Sequence, residues 1–276
     1  MTPEIPDPVF AEAVRALDAG DVPALERLIE ASPRLVRDRL DSGEGYFRRP
    51  YLLWFVAENP VRNGTLPGNV ADVARSILSA ARRQAPDTFQ EQIDYALELV
   101  SSGRVPRESG VQLELIDALA GAGARPDGAL LTAIAHREVA AVVRLLERGA
   151  ALTLPAAVCT RRAADVVRLS GSASAQDRLI ALAVAALYGS AESLGRLIGP
   201  GVDVNAYGPP GFHPHATALH HAVGSGSIDA VRVLVEAGAD LGARDRIYQA
   251  TPLGWAEYLQ RAEIASYLRE KSSPGA

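Results

Sequence analysis

The residue types best suited to chemistry are clustered. Four of the five histidines, His213, His215, His220 and His221, fall within nine residues. A His-x-His step beside a His-His pair offers imidazole nitrogens of the kind that bind transition metals. The spacing fits no established zinc pattern, however, and Cys159, the single cysteine, is far along the chain. Asp203 and Asp245 are the carboxylates that could approach the cluster. Neither a metal nor any other cofactor is expected. Other catalytic signals are weak. Lys271 is the only lysine, so no Gly-rich loop is completed by a phosphate-binding lysine. Gly224-Ser-Gly-Ser227 reads as a turn between helices, and Gly121-Ala-Gly-Ala as a helix end. Cys159 lies in an Ala/Val-rich stretch and reads as an inert buried thiol. No catalytic constellation is legible.

The elements that must position these residues repeat. Thr217-Ala-Leu-His-His-Ala222 and Thr251-Pro-Leu-Gly-Trp-Ala256 begin 34 residues apart. The segment Gly226–Asp240 has the same register as Gly189–Asp203, offset by 37, and as Glu138–Ala150. Apolar positions in each copy follow helical spacing: Ile228, Val231, Leu234, Val235; Ala191, Leu194, Leu197, Ile198; Val139, Val142, Leu145, Leu146. Fainter copies run through Val22, Leu25, Leu28 and Ile29; Ala74, Ile77 and Leu78; Leu113, Ile116 and Leu119; Ala163, Val166 and Leu169; and Ile264, Tyr267 and Leu268. That makes about eight irregular units. Gly123, Gly149, Gly201 and Gly238 follow helices where a left-handed cap is needed. Each unit reads as a short helix opened by Thr, a tight turn, a second helix, a Gly cap and an extended loop. One unit cannot bury its own apolar face, but stacked neighbours make a continuous core.

This pattern resembles the ankyrin repeat family, through Thr251-Pro252-Leu253 with Ala256, Thr217 with Leu219-His220 and Ala222, and Val235-Glu-Ala-Gly-Ala-Asp240. Residues 177–270 match best, 127–176 hold abbreviated copies, and 8–126 match through helix register alone. Three further stretches, Tyr46–Trp54, Gly211–His215 and Arg244–Tyr248, look like a group of bacterial ankyrin proteins. The resemblance implies an all-α solenoid of helix pairs spanning 1–276, with no central sheet. It also implies protein binding on the concave face. His220 occupies the position where such units carry a histidine bonded to neighbouring backbone. His221 is expected to stack against Trp255 and Val184. Ala218 stands where the family has Pro, and Gly254 where it has His.

Composition narrows the partner. The chain has 276 residues, a net charge of −5 and a hydrophobic content of 48%, which fits a folded protein and disfavours a general nucleic-acid binder. The bias from lysine to arginine points to a GC-rich bacterial coding sequence. One cysteine fits a reducing cytoplasm. The first residues have no signal-peptide pattern, and no stretch of 18 apolar residues exists, so neither export nor a membrane partner is expected. A protein partner is expected, with an enzyme or small-molecule binder that uses a His/Tyr/Trp-lined pocket in the concave groove near 207–258 as the alternative.

Three insertions, at 41–49, 58–69 and 207–215, interrupt the period, and insertions in repeat arrays map to loops. Aromatics are only 5% of the chain, yet they concentrate near these insertions. Aromatic and arginine side chains are the usual interface anchors. The candidate binding residues are therefore Tyr46, Arg48, Trp54, Glu58, His213, His215, His221, Tyr248, Trp255 and Tyr258. Packing under long loops is the competing role for these rings.

A protein that folds without metal should be indifferent to chelation. Excess chelator is expected to leave the melting temperature unchanged; a fall of many degrees in a thermal melt would promote the histidine cluster to a structural metal site.

Overall fold

The structure is a computed structural model that describes residues 5–59, 61–199 and 202–273. The described residues are helical; the only strand-like feature among them is an isolated antiparallel bridge between Tyr207 and Thr217. The chain divides into two compact units, residues 1–151 and 152–276.

In the first unit the helices are α1 (Pro8–Asp18), α2 (Val22–Ala31), α3 (Arg34–Arg37), α4 (Val70–Gln84), α5 (Pro86–Ser101), α6 (Arg104–Glu108), α7 (Gln112–Gly121), α8 (Pro126–Ala135) and α9 (Val139–Glu147). A 3-10 helix at Leu52–Ala57 takes the place of one first helix. Four pairs stack among the described residues: α1 with α2, the 3-10 helix with α4, α5 with α7, and α8 with α9. First members pack on first members, and second on second.

The second unit repeats that arrangement. Its helices are α10 (Leu154–Cys159), α11 (Ala163–Ser170), α12 (Ala175–Leu187), α13 (Ala191–Leu197), α14 (Ala218–Ser225), α15 (Ile228–Glu236), α16 (Pro252–Tyr258) and α17 (Ala262–Ser272). One row runs α10, α12, α14, α16 and the other α11, α13, α15, α17. This is the all-α stack of helix pairs that the registers imply.

Local chemistry sets the boundaries. Side-chain oxygens of Asp7, Asp21, Thr153, Ser190, Ser227 and Thr251 accept free N–H groups of the helices they precede. Proline fills the first turn of α1, α5, α8, α10 and α16, where its missing N–H costs nothing. The turn between the two helices of a pair demands positive φ. Gly20, Gly189 and Gly226 supply it with no steric cost, whereas Arg137, Arg161 and Gln260 adopt it at some cost. Gly123, Gly149 and Gly238 cap second helices at φ 97, 102 and 87°; Gly201 lies outside the described residues.

The expected stripes are mostly buried, including Leu25, Ile77, Ile116, Val142, Leu145, Leu194, Val231, Leu234 and Leu268. Two positions depart. Val139 is 41% exposed and Ala163 is exposed. Each is the first residue of its helix. α12 is buried on nearly all sides, from Ile180 to Ala186, because α10, α13 and α14 all pack on it.

Leu234 has no exposed surface, while the Arg232 side chain is half in solvent. Leu234→Ala should cost about 2–5 kcal/mol and Arg232→Ala under about 1 kcal/mol. Denaturant midpoints report both; equal shifts would mean that the register is wrong.

Candidate functional site

The candidate residues separate into two groups. In the first unit, insertion 41–49 and the 3-10 helix bring aromatic rings inward. Trp54 is 4% exposed; its ring lies 4.5 Å from that of Tyr95 and 5.3 Å from that of Tyr51, and its indole N–H donates to the Gln92 carbonyl at 3.1 Å. Glu58 has no exposure and a left-handed backbone (φ 50°). Its carboxylate accepts the backbone N–H groups of Arg62, Asn63 and Gly64 and pairs with the Arg62 guanidinium. Arg62 in turn reaches Asp18 at 2.7 Å and the Phe55 carbonyl at 3.0 Å. Glu58 thus holds insertion 58–69 in place and Trp54 packs between Tyr51 and Tyr95; both are buried and present no binding face, which corrects their assignment. Tyr46, 64% exposed, and Arg48 remain on the surface. The Tyr46 hydroxyl donates to Asn59 at 2.6 Å.

In the second unit the loops before α14 and α16 interlock around Asp245, a fully buried carboxylate. It accepts the N–H groups of Ile247, Tyr248 and Ala250 at 2.7–3.0 Å and the Trp255 indole N–H at 3.0 Å. Burial pushes the Asp245 carboxyl up, and these donors, Tyr248 first, outweigh that and hold it down at about 2. Asp245 is committed to its own loop rather than to the histidines. The His220 imidazole spans two repeats. Its Nδ1 faces the Thr217 hydroxyl at 2.8 Å, and its Nε2 meets the Ala250 carbonyl at 3.1 Å. That is the structural role implied by its position.

The His221 ring has imidazole neighbours. Its ring lies 5.1 Å from His213 and 6.2 Å from His215, while Trp255 stacks on His215 and meets His220 edge-on. The insertion 207–215 places its two imidazoles over α14. His221 is 4% exposed, so like Trp54 it presents no binding face, which corrects its assignment; among the described residues its Nε2 has no hydrogen-bond partner. Burial, and then the neighbouring imidazoles, push its pKa down to about 3. Among the described residues, no group of three or more His, Cys, Asp or Glu side chains could hold a metal ion. Burial also pushes the Cys159 thiol up, away from reactivity.

Beside this polar core lies a groove of about 420 Å³ lined by Tyr248, Ala250, Gly254, Trp255, Tyr258 and Leu259. It is mostly apolar, and its rims stand in solvent: Tyr248 is 78% and Tyr258 87% exposed. Gly254 opens it. The matching position 34 residues earlier is His220, whose imidazole fills the corresponding space. A Cβ at Gly254 would meet Ala250 at 3.5 Å, an ordinary contact, so nothing in the backbone forces glycine here. Tyr248, Trp255 and Tyr258 are therefore brought together at one groove. His215 lies against the other side of Trp255, and His213 and His221 sit behind it. Leu259 and Ile247, 38% and 60% exposed, extend the apolar surface. The sequence signal for this groove is Gly254 at the histidine position.

A family model described as ankyrin repeats, three copies, matches residues 182–276, from within α12 onward. No curated protein gives a significant match to the chain. Among the described residues, no helix is long and apolar enough to cross a membrane.

A histidine neutral in the folded state but able to protonate when unfolded makes stability fall with acidity. His221 contributes nothing adverse above pH 6.5, and its penalty grows as pH drops toward its folded value of about 3. Between pH 7 and pH 5 the loss is about 2 kcal/mol, a window above that in which carboxylates protonate. His221→Leu should remove that share of the slope and leave stability at pH 7 unchanged or higher. Urea midpoints at both pH values test this; an unaltered slope would mean that His221 is not buried neutral.

Proposed function

We propose that this chain is a protein-binding scaffold and that the groove between Tyr248 and Tyr258 is its principal recognition surface. The observation that carries the reading is the exposed pair of tyrosines flanking an apolar groove, in a chain where aromatics are only 5%. Leaving such rings in water costs hydration free energy, and a partner that covers them recovers it. Tyrosine is suited to this role because it offers a large apolar face, a polar tip and few rotatable bonds.

The ankyrin match over 182–276 supports the same reading, since such repeats serve widely as interaction modules. The open form of the groove supports capture of a chain segment over enclosure of a small molecule, whose sites bury most of the ligand. The absence of a catalytic constellation around the groove leaves binding as the simpler task. In the first unit, Tyr46 and Arg48 are also exposed.

Tyr258→Ala or Tyr248→Ala should weaken partner binding about thirtyfold with little change in melting temperature. Gly254→Leu should fill the groove, abolish binding and maintain or raise stability, because glycine inside a helix costs about 1 kcal/mol. Retention of partner proteins from the native host on immobilised protein gives the readout. Equal retention by wild type and Gly254→Leu would place the interface elsewhere. A large fall in melting temperature in Tyr248→Ala with unchanged binding would make Tyr248 a structural prop.

A further inference from the structure

We infer that His213, His215 and His221 form an acid-sensitive latch: the loop tip 213–215 lies over α14 while the three imidazoles are neutral, and it lifts off His221 when the cluster takes up a proton. The latch goes beyond partner binding and does not depend on what occupies the groove. Its basis is a cluster of like groups. The ring centroids of His213 and His221, His213 and His215, and His215 and His221 are 5.1, 5.8 and 6.2 Å apart. His221 is the buried member, and its Nε2 meets no hydrogen-bond partner among the described residues. A proton on that nitrogen would put an unpaired charge inside the protein, beside two further imidazoles. Protonation and exposure of His221 are therefore coupled.

No neighbouring element supplies a compensating charge. The groups that act on the His221 ring are the imidazoles of His213, His215 and His220, all of one sign. α12, α15 and α16 pack on α14. α12 has no ionisable side chain between Leu179 and Leu187. Asp229, Arg232 and Glu236 of α15 lie on its exposed face, and Glu257 of α16 pairs with Arg269. Tyr258 of α16 and Tyr248 of the preceding loop stand in solvent. In that loop Asp245 accepts its own N–H groups and the Trp255 indole, and Arg244 donates to the Gln249 carbonyl. Arg246 lies over the Tyr207 ring.

The tip can move while the base of the loop stays. Phe212 is buried, and the Gly208 N–H donates to the Ala216 carbonyl at 3.1 Å. The tip is tied to the next repeat by Arg246, whose backbone N–H donates to the His215 carbonyl at 2.8 Å and whose guanidinium donates to the Pro214 carbonyl at 3.2 Å. His213 has a left-handed backbone, φ 45°, a strain that release relieves. Because His215 stacks on Trp255, the same step removes one wall from the indole. Once exposed, His221 returns to its ordinary value of 6.5, whereas burial, then the other imidazoles, hold it at about 3 in the closed form. The open form binds more protons, so opening is favoured as pH falls, by about thirtyfold between pH 7 and pH 5.

Amide exchange followed by NMR on the full chain at pH 7 and pH 5 tests this, with each rate divided by the intrinsic rate at that pH. The Arg246 N–H reports the tip, and the Leu234 N–H, within α15, reports the helix stack. Arg246 should be less protected than Leu234 at both pH values, and its protection should fall about thirtyfold at pH 5. His221→Leu and His221→Phe should each reduce that fall to about threefold or less. Arg246 protection that ignores pH would overturn the latch. Protection equal to that of Leu234 at both pH values would also overturn it, by making the acid response global unfolding. An undiminished fall in both variants would assign the response to His220, which burial also holds below its ordinary value, and would overturn the latch as well.

Discussion

No helix pair in this chain can bury its own apolar stripe, and the rest of the structure follows from that constraint. A pair such as α14 and α15 has only short helices, with Leu219, Ala222, Val223, Val231 and Leu234 to hide. Each apolar face must be closed by a neighbour, so helices stack first on first and second on second within each unit. Close stacking favours small residues. Ala181, Ala183, Ala185 and Ala186 let α12 sit between α10 and α14. An array built this way has little room for rings in its regular parts, so its few aromatics gather where the period breaks.

The break at 41–69 was spent on stability. Phe47, Tyr51, Trp54 and Phe55 form a ring cluster under the loop, with Phe55 also against Phe10. A buried Glu58 closes the loop by accepting its backbone N–H groups and neutralising Arg62. Buried charge is tolerable there because nearly every lone pair and proton finds a partner. The 3-10 helix at Leu52–Ala57 is part of the same packed region, with all six of its residues buried.

The break at 207–215 works differently. Loop and helix are joined by polar ties across repeats, from His220 to Ala250 and from His215 to Arg246, with Asp245 fixing the turn between them. These bonds hold Trp255 in place from behind and leave its other side to the groove. One register position decides the difference between neighbouring pairs. Imidazole at His220 fills the junction and binds the next repeat; glycine at Gly254 leaves it open.

Helical periodicity, the Thr openings and the glycines determined the fold class, because each encodes a local requirement: a stripe to bury, an N-terminus to cap, a positive φ to accommodate. Leu234, Val142 and Ile116 could be placed in the core from spacing alone, and His220 from its place in the unit. Val139 could not, since whether the first residue of a stripe meets a neighbour depends on where the next helix ends. Tyr248, Trp255 and Tyr258 were legible as a group because their spacing follows one helix and its preceding loop. Trp54 and Glu58 shared the same sequence signal, an aromatic or charged residue near an insertion, but the tertiary fold turned them inward. The direction in which a loop folds back is set by long-range contacts, here from Trp54 to Gln92 and, through Arg62, from Glu58 to Asp18. No local pattern records those contacts.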